Sequence, residues 1–262
     1  MEIGLSSASF YPNVKTENSI GVIKQLGFEC GEIFLNSPSE YEESFIQELL
    51  EEKNKHNFKI HSVHGFSSSF EPFLFDSYKR RRDDMLVYFK KVCRAAKVLG
   101  ADCYTFHGMR HQGAGFITKE FIVDVYNELA YIALEEGIKL AQENVSWCMS
   151  SDINFLHMIK ENCKYPVYFT LDIKQAYKAG IKPEKYIEVM GNNIVNLHIN
   201  DRNKDSICLL PGKGDVDYKK IFCKLRKIGY NKVGIIEVYS NNYTELKEIS
   251  DAKKFLISQE SK

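Results

Sequence analysis

Hydrophobic positions along the chain follow a repeated two-part pattern. An amphipathic stretch ends in glycine, and a short run of β-branched or aromatic residues follows at once. Four copies are plain: IKQLGFECGEIFL, AKVLGADCYTFHG, ALEEGIKLAQENV and LRKIGYNKVGIIEVY. The glycine supplies a left-handed residue that closes a helix, and the apolar run has the length of a buried parallel strand. Each copy is therefore the helix-to-strand half of a βαβ unit. Completing the weaker copies predicts strands near Ile3–Ser6, Glu32–Leu35, Lys59–His64, Cys103–His107, Lys139–Glu143, Val167–Asp172, Val195–His198 and Val233–Glu237. Helices are expected at Thr16–Leu26, Tyr41–His56, Ser77–Leu99, Lys119–Glu136, Asp152–Glu161, Pro183–Met190 and Tyr218–Ile228, with a closing helix at Thr244–Ile257. Eight strands alternating with eight helices predict an α/β fold, a closed parallel (β/α)8 TIM barrel forming a single domain over residues 1–262. An open doubly wound sheet competes with it. That arrangement usually carries a glycine-rich phosphate turn after its first strand, and SSASFYPN is no such turn.

Length supports one barrel, since 262 residues lie close to the roughly 250 typical of this architecture. Hydrophobic residues make up 44% of the chain, enough for a large core and unlike a disordered composition. The 35 basic residues balance the 35 acidic ones, so no net field attracts nucleic acid or an anionic membrane, and a small-molecule partner is favoured. No apolar run approaches the ~20 residues that span a bilayer, and MEIGLSSASFY lacks the features of a secretory leader, so a cytoplasmic protein is expected. The seven cysteines are scattered and never form C-x-x-C, which reads as reduced packing residues.

In a β/α barrel the chemistry sits at the C-terminal ends of the strands, so the last polar residue of each run is informative. Strands three to eight end in His64, His107, Glu143, Asp172, His198 and Glu237. One such residue alone would read as a helix cap or a satisfied core histidine. Grouped carboxylates, however, repel one another and lose solvation unless a cation neutralises them. The cluster therefore points to a divalent metal.

The runs QENV, LDIKQA, NLHINDRN, PGKGDVDY and IIEVY occur in that order across the chain. They resemble the xylose-isomerase-like barrel superfamily, which includes sugar epimerases, sugar-phosphate isomerases and apurinic-site endonucleases. Resemblance to the ketose 3-epimerase branch implies one divalent metal (Mn²⁺, Mg²⁺, Co²⁺ or Zn²⁺) held by Glu143, Asp172, His198 and Glu237. Its implied activity is isomerase or epimerase chemistry on a sugar or sugar phosphate. Glu143 and Glu237 would exchange a proton beside the carbonyl through a metal-stabilised enediolate. The endonuclease branch, a metal-dependent phosphodiesterase on damaged DNA, is the rival. It carries histidines matching His64 and His107 and holds three zinc ions. Its Asp-x-x-His reads Asp172-Ile-Lys-Gln175 here, and its Asp-x-His pair is missing from Ser206–Gly212, which removes zinc donors. His64 and His107 are then expected to contact substrate hydroxyls or to support the site, with a second metal as the alternative. Gln175, standing where the epimerase branch has a substrate-binding histidine, implies different hydroxyl contacts. A non-catalytic sugar-binding barrel stays open, as does a homo-oligomer.

Three other stretches carry weaker expectations. Arg202 suits a sugar oxygen, a carboxylate or a phosphate, or else a solvated loop. Trp147 suits a pocket wall or core packing. Phe66, Phe70, Phe73 and Phe75 in one loop suit a lid, a subunit contact or buried packing, and Pro211–Gly214 reads mainly as a turn.

Overall fold

A computed structural model describes residues 1–111 and 117–260; the expected single domain also spans 112–116 and 261–262, which lie outside the described residues. The strands are β1 (Glu2–Ser6), β2 (Cys30–Phe34), β3 (Lys59–His64), β4 (Cys103–Phe106), β5 (Lys139–Glu143), β6 (Tyr168–Asp172), β7 (Ile194–Ile199) and β8 (Val233–Ile236). They close in sequence order into a parallel barrel, with β1 pairing both β2 and β8. The open-sheet alternative is thereby excluded.

The helices are α1 (Thr16–Gln25), α2 (Glu43–Lys55), α3 (Lys79–Leu99), α4 (Lys119–Glu135), α5 (Ile153–Asn162), α6 (Ile173–Lys178), α7 (Pro183–Met190), α8 (Tyr218–Lys227) and α9 (Lys247–Glu260). The glycines expected to close helices do so: Gly27, Gly100, Gly137 and Gly229 all have positive φ. At Gly100, φ is 69°, and the backbone N–H turns back onto the carbonyls of Ala96 and Lys97. Helices α2, α3 and α9 start two or three residues later than expected. A 3₁₀ turn at Pro38–Tyr41 precedes α2, and Glu71–Phe75 forms another ahead of α3. Helix α6 was not foreseen. It is six residues long, too short for a periodic signal, and it forms because the Asp172 side chain caps it by accepting from the Gln175 N–H.

Outside the barrel, each helix lays an apolar stripe on the strands. In α4 the buried positions are Ile122, Val125, Tyr126, Leu129, Ala130 and Ala133, a spacing of three and four residues. Burying each large apolar side chain contributes about 1.5–3 kcal/mol. No described helix is long and apolar enough to cross a membrane.

Inside the barrel the layer beneath the C-terminal rim is polar. The carboxylate of Glu32, fully buried on β2, accepts hydrogen bonds from Ser6, Ser62, Thr105 and Asn196 at 2.7–3.2 Å. This hydrogen-bonded plug forms the floor of the candidate site.

The turn Pro211–Gly214 offers no free anion nest, because the chain's own Asp201 fills it. The buried Asp201 carboxylate accepts from the N–H groups of Gly212, Gly214 and Val216 at 2.9–3.1 Å. A Cβ at Gly214 would lie 2.2 Å from the Arg202 carbonyl oxygen and 2.4 Å from Asp201 Oδ1. Gly214→Ala should therefore displace backbone and cost about 2–3 kcal/mol, read as a lower urea midpoint with an unchanged slope. A change within about 0.5 kcal/mol would show that the turn yields without strain.

Candidate metal and substrate site

Four of the residues expected at the rim converge. Glu143 ends β5, Asp172 ends β6 and starts α6, His198 lies in β7, and Glu237 follows β8 directly with its N–H on the Ile199 carbonyl at 3.0 Å. One donor atom from each lies within 4.8 Å of the others, and all four side chains are buried. His198 Nδ1 is the centre of the group. It stands 3.3 Å from Glu143 Oε1, 3.4 Å from Glu237 Oε2 and 3.8 Å from Asp172 Oδ2.

His198 Nδ1 and Asp172 Oδ2 are buried without a hydrogen-bond partner, and Glu143 Oε2 is buried with the His107 ring nitrogen 2.8 Å away. Orphaned buried polar atoms of this kind are costly unless something else satisfies them. Three carboxylates and one imidazole converging on one point fit a divalent cation. The far side of the imidazole is also arranged for one. His198 Nε2 lies 3.0 Å from Glu32 Oε2, which leaves Nδ1 as the nitrogen turned to the cluster. Rim-based reading of the sequence missed Glu32, because it lies mid-strand below the end of β2.

Electrostatics within the cluster follow from burial and crowding. Burial alone would raise the carboxyls of Glu32, Glu143 and Glu237. The imidazoles beside them outweigh it: His198 and His64 hold Glu32 well below the usual range, and His107 and His198 do the same for Glu143. Glu237 is brought down to about 2 by His198 and Lys174. Burial pushes Asp172 up. For His198 burial acts downward, but Glu32 and Glu237 raise it well above its ordinary value. In the metal-free protein His198 is therefore protonated at neutral pH. That proton contributes stability fully present below about pH 6.5 and lost as pH rises through the raised pKa. A divalent cation held here displaces it, so binding at pH 7 should release about one proton per ion and weaken as pH falls. Calorimetry in buffers of different ionisation enthalpy checks this; a binding heat independent of buffer would count against it.

Above the cluster opens a cavity of about 450 Å³, with His64, His107, Trp147, Lys174 and Gln175 in its wall. His107 Nε2 lies 2.8 Å from both His64 Nε2 and Glu143 Oε2, while its Nδ1 meets Ser67 Oγ at 2.6 Å. Gln175 is tethered through its carbonyl oxygen, which accepts from the Ser146 N–H at 3.1 Å and hydroxyl at 2.8 Å. Its amide N–H₂ is not used in that tether. Trp147 stands edge-on to His107, 5.3 Å between ring centres, and is 41% exposed. Arg202 is not brought to this wall. Its guanidinium pairs with Asp215 at 3.2 Å and stacks over Tyr177 at 4.7 Å, because the loop wrapped around Asp201 carries it away.

Lys174, also missed, is the buried cation of the site. Its Nζ lies 3.2 Å from Glu237 Oε2, 3.7 Å from Asp172 Oδ2 and 4.7 Å above the Tyr239 ring. Burial would lower it, but Glu237 and Asp172 hold it well above its ordinary pKa, so it stays charged. The phenylalanine loop is pinned rather than free. Phe70 and Phe75 are buried, and the buried Glu71 carboxylate accepts from the His107 and Gly108 N–H groups at 2.7 and 2.9 Å. Only Phe66 of its four aromatics reaches the cavity wall.

Comparison with known proteins gives a consistent picture of the fold. Residues 20–259 match the family described as xylose isomerase-like TIM barrel. An uncharacterized protein of Methanocaldococcus jannaschii, MJ1311, is 25% identical over 260 residues, covering 92% of this chain and 84% of its own. Among solved structures, a D-tagatose 3-epimerase-like protein superposes with a TM-score of 0.82 at 21% identity, covering 99% of this chain and 97% of the other. The IOLI protein with a binding zinc atom superposes with a TM-score of 0.78 at 21% identity, over 100% and 98% of the two chains. At these identities the likeness to the solved structures is one of fold.

Proposed function

As the chain belongs to the xylose isomerase-like TIM barrel family, we propose that it is an isomerase: a sugar or sugar-phosphate epimerase or isomerase that depends on one divalent metal ion. The observation that carries this reading is the convergence of Glu143, Asp172, His198 and Glu237 at the floor of the cavity, with Asp172 Oδ2 and His198 Nδ1 buried and unpartnered. Their net charge of about minus three around a dication suits Mn²⁺, Mg²⁺, Co²⁺ or Zn²⁺. When bound, such an ion supplies Lewis acidity to adjacent carbonyl and hydroxyl oxygens of a sugar. The zinc-bearing IOLI protein, alike in fold, supports a metal in this kind of barrel.

The remaining chemistry belongs to side chains. Glu143 and Glu237 approach His198 from β5 and β8 and are the proton acceptor and donor beside the carbonyl. Lys174 fixes Glu237 and offsets one negative charge. His64, His107 and the Gln175 amide are suited to sugar hydroxyls. Phe34, Trp147, Val238 and Tyr239 wall the cavity and limit water at the reacting carbon. All seven cysteines are free and five are buried, which suits a reducing compartment such as the cytoplasm. The test is incubation of metal-loaded protein with a panel of ketoses and ketose phosphates in deuterated water. One member should gain deuterium at the carbon beside its carbonyl, and a panel without any exchange would overturn the reading.

A further inference from the structure

Beside the cavity over the cluster lies a second one of about 440 Å³, lined by Ser68, Arg110, His111 and Trp147. Trp147 belongs to both walls, so the two are neighbouring lobes. Their chemistry differs. The first lobe presents Glu143 and Glu237, whereas the described lining of the second contains no carboxylate.

Arg110 is its main feature. The guanidinium carbon of this exposed arginine lies over the Trp147 ring, 5.3 Å from the centroid, a cation–π contact that leaves its N–H donors free. Among the described residues nothing accepts from them, in contrast to Arg81, Arg94 and Arg202, which pair with Asp76, Glu136 and Asp215. The Ser68 hydroxyl and the Trp147 indole N–H also have no partner among the described residues. His111 uses Nε2 on Ser151 Oγ at 3.1 Å, leaving Nδ1.

These groups come from three loops, after β3, β4 and β5, and the latter two are tied together by backbone. Arg110 bridges Cys148, the Met149 N–H meets the Met109 carbonyl at 2.9 Å, and the His111 N–H meets the Trp147 carbonyl at 3.4 Å. The backbones that carry Arg110 and Trp147 are therefore tied together before any ligand arrives.

We propose that this lobe is an oxyanion subsite that takes the phosphate of a sugar phosphate whose sugar end lies in the neighbouring lobe, an inference that rests on the sugar reading above. A planar carboxylate would engage chiefly the guanidinium fork. A tetrahedral phosphate ester, with three terminal oxygens, meets donors arriving from three loops. Trp147 also touches His107, so the phosphate sits two ring contacts from the imidazole beside Glu143, at the end of the substrate away from the reacting carbons.

Trp147 is the chain's single tryptophan and stands in the walls of both lobes, so its fluorescence reports binding in either, and Arg110→Gln tells them apart. Inorganic phosphate should change the emission of the metal-loaded protein saturably. In Arg110→Gln the half-saturating concentration should rise about ten-fold or more, the loss expected for one charge-assisted hydrogen bond. Arg80→Gln, an exposed arginine on α3, should respond as the natural protein does. D-fructose 6-phosphate should half-saturate at a concentration about ten-fold or more below D-fructose, for the same reason. No saturable change with millimolar phosphate, an unaltered response in Arg110→Gln, or equal binding of the two sugars would overturn the subsite. Acetate matching phosphate would overturn its assignment to phosphate. The phosphate titration needs no turnover, so it succeeds or fails separately from the exchange assay.

Discussion

Glu143→Gln and Glu237→Gln should each slow solvent-deuterium exchange into the substrate by about two to four orders of magnitude, the range for loss of a positioned acid or base. The two carboxylates approach His198 Nδ1 from strands that lie apart in the barrel, at 3.3 and 3.4 Å, so a substrate seated between them can lose a proton to one and regain it from the other. Glutamine keeps shape and removes basicity. It also removes a charge from the cluster, so metal content must be measured in both variants, and the prediction applies to protein that carries its ion. Label should appear in product and in recovered substrate, because a proton held on a glutamate open to the cavity exchanges with solvent. If a genuine substrate turns over without solvent deuterium in its product, exchange through these glutamates is excluded. A hydride shift within the same barrel then becomes the better account.

The barrel was legible in the chain because its signals are local. Four helix-closing glycines and the apolar runs behind them are properties of short segments, and the structure bears out the closed parallel barrel they predict. One topological rule applied to strand ends gathered Glu143, Asp172, His198 and Glu237 together with His64 and His107, and the resemblance to the ketose 3-epimerase branch singled out those four as ligands. Glu32 and Lys174 escaped that rule for different reasons. Glu32 points into the barrel one layer below the rim, where its partners Ser62, Thr105 and Asn196 come from three other strands that no sequence window joins. Lys174 belongs to a helix of six residues, started by an aspartate whose other oxygen faces the cluster. Arg202 and the phenylalanine loop show the limit of reading residue types. Whether an arginine faces a cavity or a nearby aspartate depends on how a loop wraps around Asp201, and whether a loop is a lid depends on where Glu71 anchors it.

Chelating the metal should lower the melting temperature by about 10 °C, and restoring one ion per chain should recover it. Binding to the folded state alone, at free metal about a thousand-fold above the dissociation constant, adds about 4 kcal/mol, and each kcal/mol moves the midpoint by about 2–4 °C in chains of roughly this size. Asp172→Asn separates a metal role from a structural one. Its Oδ1 accepts from the Gln175 N–H at 2.8 Å, a bond the asparagine oxygen can keep, whereas Oδ2 has no hydrogen-bond partner and faces the cluster. Burial already disfavours the charged form of Asp172, so removing that charge should leave the metal-free protein as stable as before or more so. The rise on adding metal should nevertheless be mostly lost. A variant that is destabilised equally with and without metal would make Asp172 a structural cap only. Elemental analysis finding three zinc ions per chain in the natural protein would overturn the single-ion site and favour metal-dependent phosphodiester chemistry, because the six rim residues would then be holding a cluster.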